Sequence, residues 1–258
     1  ATQASDTSNK DTSAPSISLS SDSTSLKAGD IAILSFTLSE SSTNFTESDI
    51  FFSGGTLSNF SGNDTSYSAQ FTPREDSISN GVISVASSRF SDLAGNINAD
   101  GFDANNSLTI SIDTLPPTIA VAINDGGDGF INAAEESSVT ISGSTSGVAD
   151  GQTVSINISS SGGGTPINST ATTTSNSYSL TGLDLSSLND GTLSITADVS
   201  DVAGNSATQA SDTSNKDTSP PSISVAINDG GDGFLNAAEE SSVTISGSTS
   251  GVQDGQTV

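Results

Sequence analysis

Two stretches of this chain each occur twice, and the copies limit how long one structural unit can be. "ATQASDTSNKDTS" opens the sequence and recurs unchanged at residue 207. Residues 116–154 recur at 220–258 with four differences in 39 positions, an offset of 104 residues. A fixed period of this kind indicates tandem modules. The predicted divisions are the tail of a preceding repeat at 1–11, a first module at 12–115, a second module at 116–219 and the start of another second-type repeat at 220–258.

Short runs in which apolar and polar residues alternate predict β-strands in both modules. "AILSFTL" at 32–38, "VISVAS" at 82–87 and "LTISI" at 108–112 place their apolar side chains on one face of an extended chain. Low hydrophobicity with a net charge of -25 would also suit a disordered chain. The alternation argues against disorder, because an unfolded chain does not require it.

The number and spacing of the strands predict the fold class. Seven short strands in about 100 residues are typical of an immunoglobulin-like sandwich, so we expect an all-β chain of tandem immunoglobulin-like β-sandwich domains, arranged head to tail as an elongated rod. In the first module, strands A to G are predicted at 16–20, 31–38, 49–53, 56–60, 66–72, 81–88 and 107–112. In the second, they are predicted at 118–123, 137–142, 152–158, 167–172, 177–181, 191–199 and 206–213.

The composition argues against several classes of function. His and Cys are absent, so the chain has no imidazole or thiol for a catalytic triad. A pair of carboxylates could still hydrolyse glycosides, but the acids cluster in turns and Tyr67 and Tyr178 are the only tyrosines, so we expect no enzyme. Thirty Asp and Glu against five Lys and Arg disfavour nucleic acids. No apolar run is long enough for membrane insertion. Cations are the expected partners.

Several motifs resemble those of a known family. "SDLAGN" at 91–96 and "SDVAGN" at 200–205 are each followed by a "DT.PP" junction. "INAAE", "VTISG" and "DGQTV" follow one another in the second module, and "SLKAGDIAILSFTLSESSTNF" lies in the first. Together they resemble the bacterial Ig-like repeats in the extender region of large RTX, biofilm-associated adhesins. The resemblance implies an extracellular, calcium-stabilised spacer at the bacterial cell surface, often exported by type I secretion.

The repeated loop "NDGGDGFINAAEE" at 124–136 has the residue types of a calcium-binding turn. An EF-hand loop spaces oxygen ligands along twelve residues, with glycine at the sixth. Counting from Asn124 puts Gly129 at the sixth position, but Gly126 occupies a ligand position and a strand pattern follows instead of a helix. The alternative is a plain turn between two strands. The predicted ligands are Asn124, Asp125, Asp128, the Phe130 carbonyl, Asn132 and Glu135, with Asn228, Asp229, Asp232, Asn236 and Glu239 in the copy.

Strand topology predicts that these loops meet at the module junctions. The 124–136 loop joins strands A and B of the second module, and the "SDVAGN" turn joins strands F and G. In a seven-stranded sandwich, the AB and FG loops lie at opposite poles, so the AB loop of one module faces the FG loop of the next. We therefore expect calcium at the junctions, although Asp92 and Asp201 could instead cap their own tight turns. The predicted ligands are Asp11, Asp92 and Asn96 with Glu40 at the entry to the first module, Asp113, Asp201 and Asn205 with Glu75, Asp76 or Asp30 at the next junction, and Asp217 beside the 124–135 loop.

These expectations give one functional hypothesis and one alternative. The hypothesis is a calcium-stabilised extender that projects a distal ligand-binding region from the cell for attachment or biofilm formation. Its partners would be neighbouring repeats of the same chain, through calcium-bridged linkers, and the segment would be monomeric. The alternative is a calcium-dependent glycan-binding or surface-binding adhesin module. The copied module argues against the alternative, because a dedicated binding domain would need only one copy.

Overall fold

The computed structural model describes residues 8–100, 104–252 and 254–258. Within these ranges the chain is all-β, with one 3-10 turn at Glu47–Asp49, and it has no helix long and apolar enough to cross a membrane. The prediction of tandem immunoglobulin-like β-sandwiches is confirmed. The tail predicted at 1–11 falls largely on residues 1–7, which lie outside the described residues.

The first module consists of two facing sheets. Its strands are β1 (Ile17–Ser21), β2 (Ser25–Leu26), β3 (Ala32–Ser42), β4 (Ile50–Ser53), β5 (Gly55–Pro73), β6 (Gly81–Val85) and β7 (Ser107–Ile112). One sheet has the order β1-β3-β5 and the other has the order β2-β7-β6-β4. β1 is antiparallel to β3, whereas β2 runs parallel to β7. The chain therefore crosses from one sheet to the other within its first strand region.

The strands predicted at 56–60 and 66–72 form one continuous extended run, β5. Its two halves lie against each other. The Arg74 N–H donates to the Gly54 carbonyl at 2.9 Å, and the Asn59 amide donates to the Gln70 side chain at 2.6 Å. β5 therefore folds back on itself as a hairpin, and Gly62 and Asp64 near its tip have positive φ.

The core of the first module follows the alternation of β3. Ala32, Leu34, Phe36 and Leu38 are buried, whereas Ile33 between them is 41% exposed. The buried four belong to one apolar cluster with side chains of β6 and β7 from the opposite sheet. Full burial of a large apolar side chain contributes about 1.5–3 kcal/mol, so this alternation stabilises the contact between the two sheets.

The second module repeats this design with a larger second sheet. Its strands are β8 (Thr118–Ile119), β9 (Ala122–Asn124), β10 (Phe130–Ile131), β11 (Val139–Ser146), β12 (Thr153–Ser160), β13 (Ile167–Thr172), β14 (Ser177–Leu183), β15 (Gly191–Asp198) and β16 (Ala210–Lys216). One sheet has the order β10-β16-β15-β12-β13, and β14-β11-β8 forms the other, with β9 also paired to β11. The fourth predicted strand is present as β13, but it pairs with β12, whereas a strand D would pair with β14.

The last strand of the second module lies further along the chain than predicted. β16 spans Ala210–Lys216 instead of 206–213. Its buried positions are Ser214 and Lys216. Because both of these residues are polar, the apolar alternation that locates the other strands does not mark this one.

Lys216 is a buried cation with a full set of partners. Its ammonium donates to the carbonyls of Leu185 at 3.0 Å and Leu188 at 2.6 Å, and it forms an ion pair with Glu136 at 2.7 Å. The three N–H groups of a lysine ammonium are thereby satisfied. These bonds tie the end of β16 to the loops before β11 and after β14.

Residues 220–258 form two paired strands, β17 (Ser222–Asn228) and β18 (Thr244–Ser250). Their apolar side chains are exposed: Ile245 is 69% exposed, whereas its counterpart Ile141 in the second module is fully buried. The same sequence therefore forms strands in both places. It buries them only where β12 and β15 cover the sheet.

Candidate metal sites at the module junctions

The two "DxAGN" turns, at 92–96 and 201–205, have the same hydrogen bonds. In each, the asparagine backbone N–H donates to aspartate Oδ1 at 2.8 Å, and the asparagine side-chain amide donates to Oδ2 at 2.8 Å. Gly95 and Gly204 both have φ of 91°, a conformation that favours glycine. Each aspartate therefore caps its own turn, which is the alternative considered for Asp92 and Asp201.

Each of these turns lies against the linker that precedes its own module. The Asn96 amide donates to the Asp11 carbonyl at 3.5 Å, and the Asn205 amide donates to the Asp113 carbonyl at 2.9 Å. The structure therefore brings together two groups of predicted ligands, which are Asp11, Asp92 and Asn96 at one junction and Asp113, Asp201 and Asn205 at the next.

Three acids converge at the entry to the first module. Carboxylate oxygens of Asp11, Glu40 and Asp92 lie within 4.8 Å of one another. Asp11 is exposed, Glu40 is half-buried and Asp92 is buried. The pairing of β3 with β5 loses its regular register between Thr37 and Ser42, in the segment that carries Glu40. Irregularities of this kind re-aim side chains at the ends of strands.

The three carboxylates repel one another. Desolvation, followed by the charges of Asp11 and Asp92, raises the pKa of Glu40. The hydrogen bond from the Asn96 side chain lowers the pKa of Asp92, which therefore stays charged. The folded chain therefore binds a proton at Glu40 more tightly than the unfolded chain does. As a result, the contribution of Glu40 to stability falls as pH rises from the pKa of Glu40 in the unfolded chain through its raised pKa in the folded chain. A bound cation would remove this repulsion.

The junction between the first and second modules has different polar contacts. The Lys27 ammonium donates to the Gly204 carbonyl at 3.2 Å, and the Ala28 N–H donates to Asn205 Oδ1 at 2.9 Å. Asp30, one of the acids expected here, accepts the Lys27 backbone N–H at 3.0 Å. Within the described ranges, no group of three acids meets at this junction. The other acids considered for it, Glu75 and Asp76, are exposed in a turn.

The sequence predicts one loop between strands A and B of the second module, but a short strand, β10, divides it. β10 runs parallel to the end of β16, so the residues before it lie along the flank of the module. There the Ser214 hydroxyl donates to Asp125 Oδ2 at 3.1 Å. The residues after β10 lie beside Asp217, whose N–H donates to the Ile131 carbonyl at 3.1 Å.

The side chains of this loop bind its own backbone. Asn124, Asp125 and Asp128 each accept the N–H two residues further on, at 3.2, 3.0 and 2.9 Å. Glu135 accepts the Asn132 N–H at 3.0 Å. The corresponding bonds are present in the copy at Asn228, Asp229, Asp232, Asn236 and Glu239. The local sequence therefore determines the shape of the loop, and calcium ligation by these residues stays a prediction.

The first module matches a known family of domains. Residues 11–112 match the family described as bacterial Ig-like domain. The matched range begins at Asp11 and ends with β7, and it contains all three acids of the cluster.

The chain is also similar to several solved structures. A tetra-tandem repeat in the extending region of a large adhesion protein is 24% identical, with 92% of this chain and 56% of that chain covered and a TM-score of 0.39. The adhesin FdeC of Escherichia coli is 17% identical, with coverage of 83% and 67% and a TM-score of 0.35. Invasin, a bacterial integrin-binding protein, is 15% identical, with coverage of 82% and 42% and a TM-score of 0.36. No curated protein matches the chain.

The second module shares two local features with the first. In both, a two-residue strand runs parallel to the last strand, as β2 does with β7 and β10 does with β16. In both, the backbone N–H of the residue that follows this short strand donates to an acidic side chain three residues later. Asp30 accepts the Lys27 N–H, and Glu135 accepts the Asn132 N–H. Lys27 and Asn132 therefore occupy equivalent positions in the two modules.

Proposed function

We propose that this chain is a calcium-stabilised spacer segment of a large bacterial surface adhesin of the RTX type, and that it acts outside the cell without catalysis. The bacterial Ig-like domain at 11–112 supports this role, as does the second sandwich that follows it. Copied modules also fit a spacer, because each copy adds length. The proposed partners are neighbouring repeats of the same monomeric chain, joined by calcium at the entry to the first module and at the end of the second, with no nucleic acid and no membrane insertion.

The convergence of Asp11, Glu40 and Asp92 is the observation that carries this proposal. Calcium takes about six to eight oxygen ligands at about 2.3–2.6 Å, and carboxylates are its preferred charged ligands. The three acids come from the linker, the end of β3 and the "DxAGN" turn. One bound ion would therefore fasten the linker to the sandwich, and its binding free energy would add to the stability of the folded module.

At the end of the second module, the 124–135 loop is the proposed calcium-binding element. Asn124, Gly126 and Glu135 line one cleft. A Cβ at Gly126 would lie 3.3 Å from Glu135 Oε1, so the two halves of the loop are close to each other. We propose that Asp217 of the linker and the FG loop of the next module supply the remaining ligands.

Calcium is expected to raise the melting temperature of the first module. Free calcium at about 100 times its dissociation constant would add about 2.7 kcal/mol, which corresponds to about 10 °C or more for a domain of this size. Differential scanning calorimetry of the intact chain, first with calcium and then with excess chelator, measures the change. Melting that is identical with calcium and with chelator would contradict the proposal. So would an equal rise with magnesium, because it would indicate general charge screening.

A further inference from the structure

We propose that the joint between the first and second modules is closed by the protein's own cation, Lys27, and keeps its angle without metal. The docking surface is the turn at residues 27–30 of the first module. The partner that it fits is the "DxAGN" turn of a second-type module. This inference goes beyond the proposed function and does not depend on it, because it rests on contacts that the chain makes with itself.

A single buried side chain, Asn205, connects three segments at the joint. It is 4% exposed. Its Oδ1 accepts the Ala28 N–H at 2.9 Å, and its Nδ2 donates to the Asp113 carbonyl at 2.9 Å and to Asp201 Oδ2 at 2.8 Å. The side-chain amide of Asn205 has only one satisfactory orientation, because exchanging Oδ1 and Nδ2 would set Nδ2 against the Ala28 N–H and Oδ1 against two acceptor oxygens. The contact therefore fixes the first module, the linker and the second module relative to one another.

Lys27 supplies a positive charge to a cleft that two acids line. Its ammonium lies 3.2 Å from the Gly204 carbonyl oxygen, and Asp30 and Asp113 line the cleft beside it. The whole chain has five Lys and Arg against thirty acids, so a lysine at this joint is not part of a generally basic surface. A lysine ammonium is a compact charge with three donors. It can therefore donate across the joint, as it does to the Gly204 carbonyl.

The equivalent turn of the second-type module has no such cation. Asp30 caps the Lys27 N–H and Glu135 caps the Asn132 N–H, each at 3.0 Å, directly after β2 and β10. An uncharged asparagine therefore stands where the first module has lysine, and the copy has Asn236 there. Joints that follow a first-type module would thus be closed by lysine. Joints that follow a second-type module present an oxygen ligand instead.

Distance measurements between spin labels on the two modules test this proposal in the intact chain. The chain has no cysteine, so Ser58→Cys and Thr170→Cys, at exposed strand positions, would carry the only two labels. In excess chelator the distance distribution is expected to be narrow and to stay unchanged when calcium is added. Lys27→Met is expected to increase the population of opened joints about tenfold or more, from the loss of one charge-assisted hydrogen bond.

Lys27→Arg is the matched control, because it keeps both the charge and a donor, and its distribution should stay narrow. A wild-type distribution that broadens in chelator would overturn the proposal. A narrow distribution for Lys27→Met in chelator would also overturn it. If calcium leaves the melting of the first module unchanged, the calcium proposal fails while the Lys27→Met result still decides this one.

Discussion

Replacing Lys216 with methionine is expected to lower the free energy of unfolding of the second module by about 3–5 kcal/mol, the usual cost of breaking a buried ion pair. Methionine preserves the apolar stem but leaves Glu136 without its cation and the Leu188 carbonyl without its ammonium donor, and the Leu185 carbonyl keeps only the Leu188 N–H. Hydrogen–deuterium exchange of the β11 and β16 amides measures the change within this module, independently of the first.

Lys10 offers a matched control, because it lies in an identical "SNKDTS" sequence but is exposed. Lys10→Met should change the free energy of unfolding by no more than about 0.5 kcal/mol, as is usual for a surface substitution. Equal effects of Lys216→Met and Lys10→Met would show that the buried contacts of Lys216 do not contribute to stability.

Replacing Phe45 with alanine is expected to destabilise the first module by about 3–5 kcal/mol, because it opens a cavity in the core. Phe45 is 4% exposed. Its ring centroid lies 5.1–6.0 Å from those of four other aromatic rings, which are Phe36, Phe60, Tyr67 and Phe90. Hydrogen–deuterium exchange of the β3 and β6 amides measures this loss of stability.

Phe51 is the control for this second substitution, since it is 62% exposed on β4. Phe51→Ala should cost no more than about 0.5 kcal/mol. A loss at Phe45→Ala as small as that at Phe51→Ala would mean that the aromatic cluster is not part of the stabilising core.

The strands could be predicted from the sequence wherever apolar residues alternate with polar ones. β7 and β13 have the predicted bounds because turn residues flank a regular pattern. The two-residue strands β2 and β10 were missed, since two residues cannot show a period. β16 was placed too early because its inward positions are filled by Ser214 and Lys216, and a polar residue inside a sandwich depends on partners that are distant in the chain.

The candidate sites could be predicted only as far as topology determines them. Strand order indicates that a linker and an FG loop share one pole, and the structure places Asp11 beside Asp92 and Asn96. Lys27 was not predicted as a joint residue, because its contact with Gly204 joins positions 177 residues apart. The sequence signal for Lys27 is the rarity of cationic residues, because the chain has only five Lys and Arg and one of them directly follows a short strand.

Calcium titration of the intact chain by isothermal calorimetry, compared with a Glu40→Gln variant, tests the central claim most directly. Wild-type chain should bind calcium saturably, and Glu40→Gln should weaken the site at the entry to the first module by at least about tenfold. The same variant should melt higher in chelator, because it removes repulsion from Asp11 and Asp92. Glu47→Gln, at an exposed acid of the same module, should bind as wild type does. The absence of saturable binding, or binding by Glu40→Gln that equals wild type, would contradict the account.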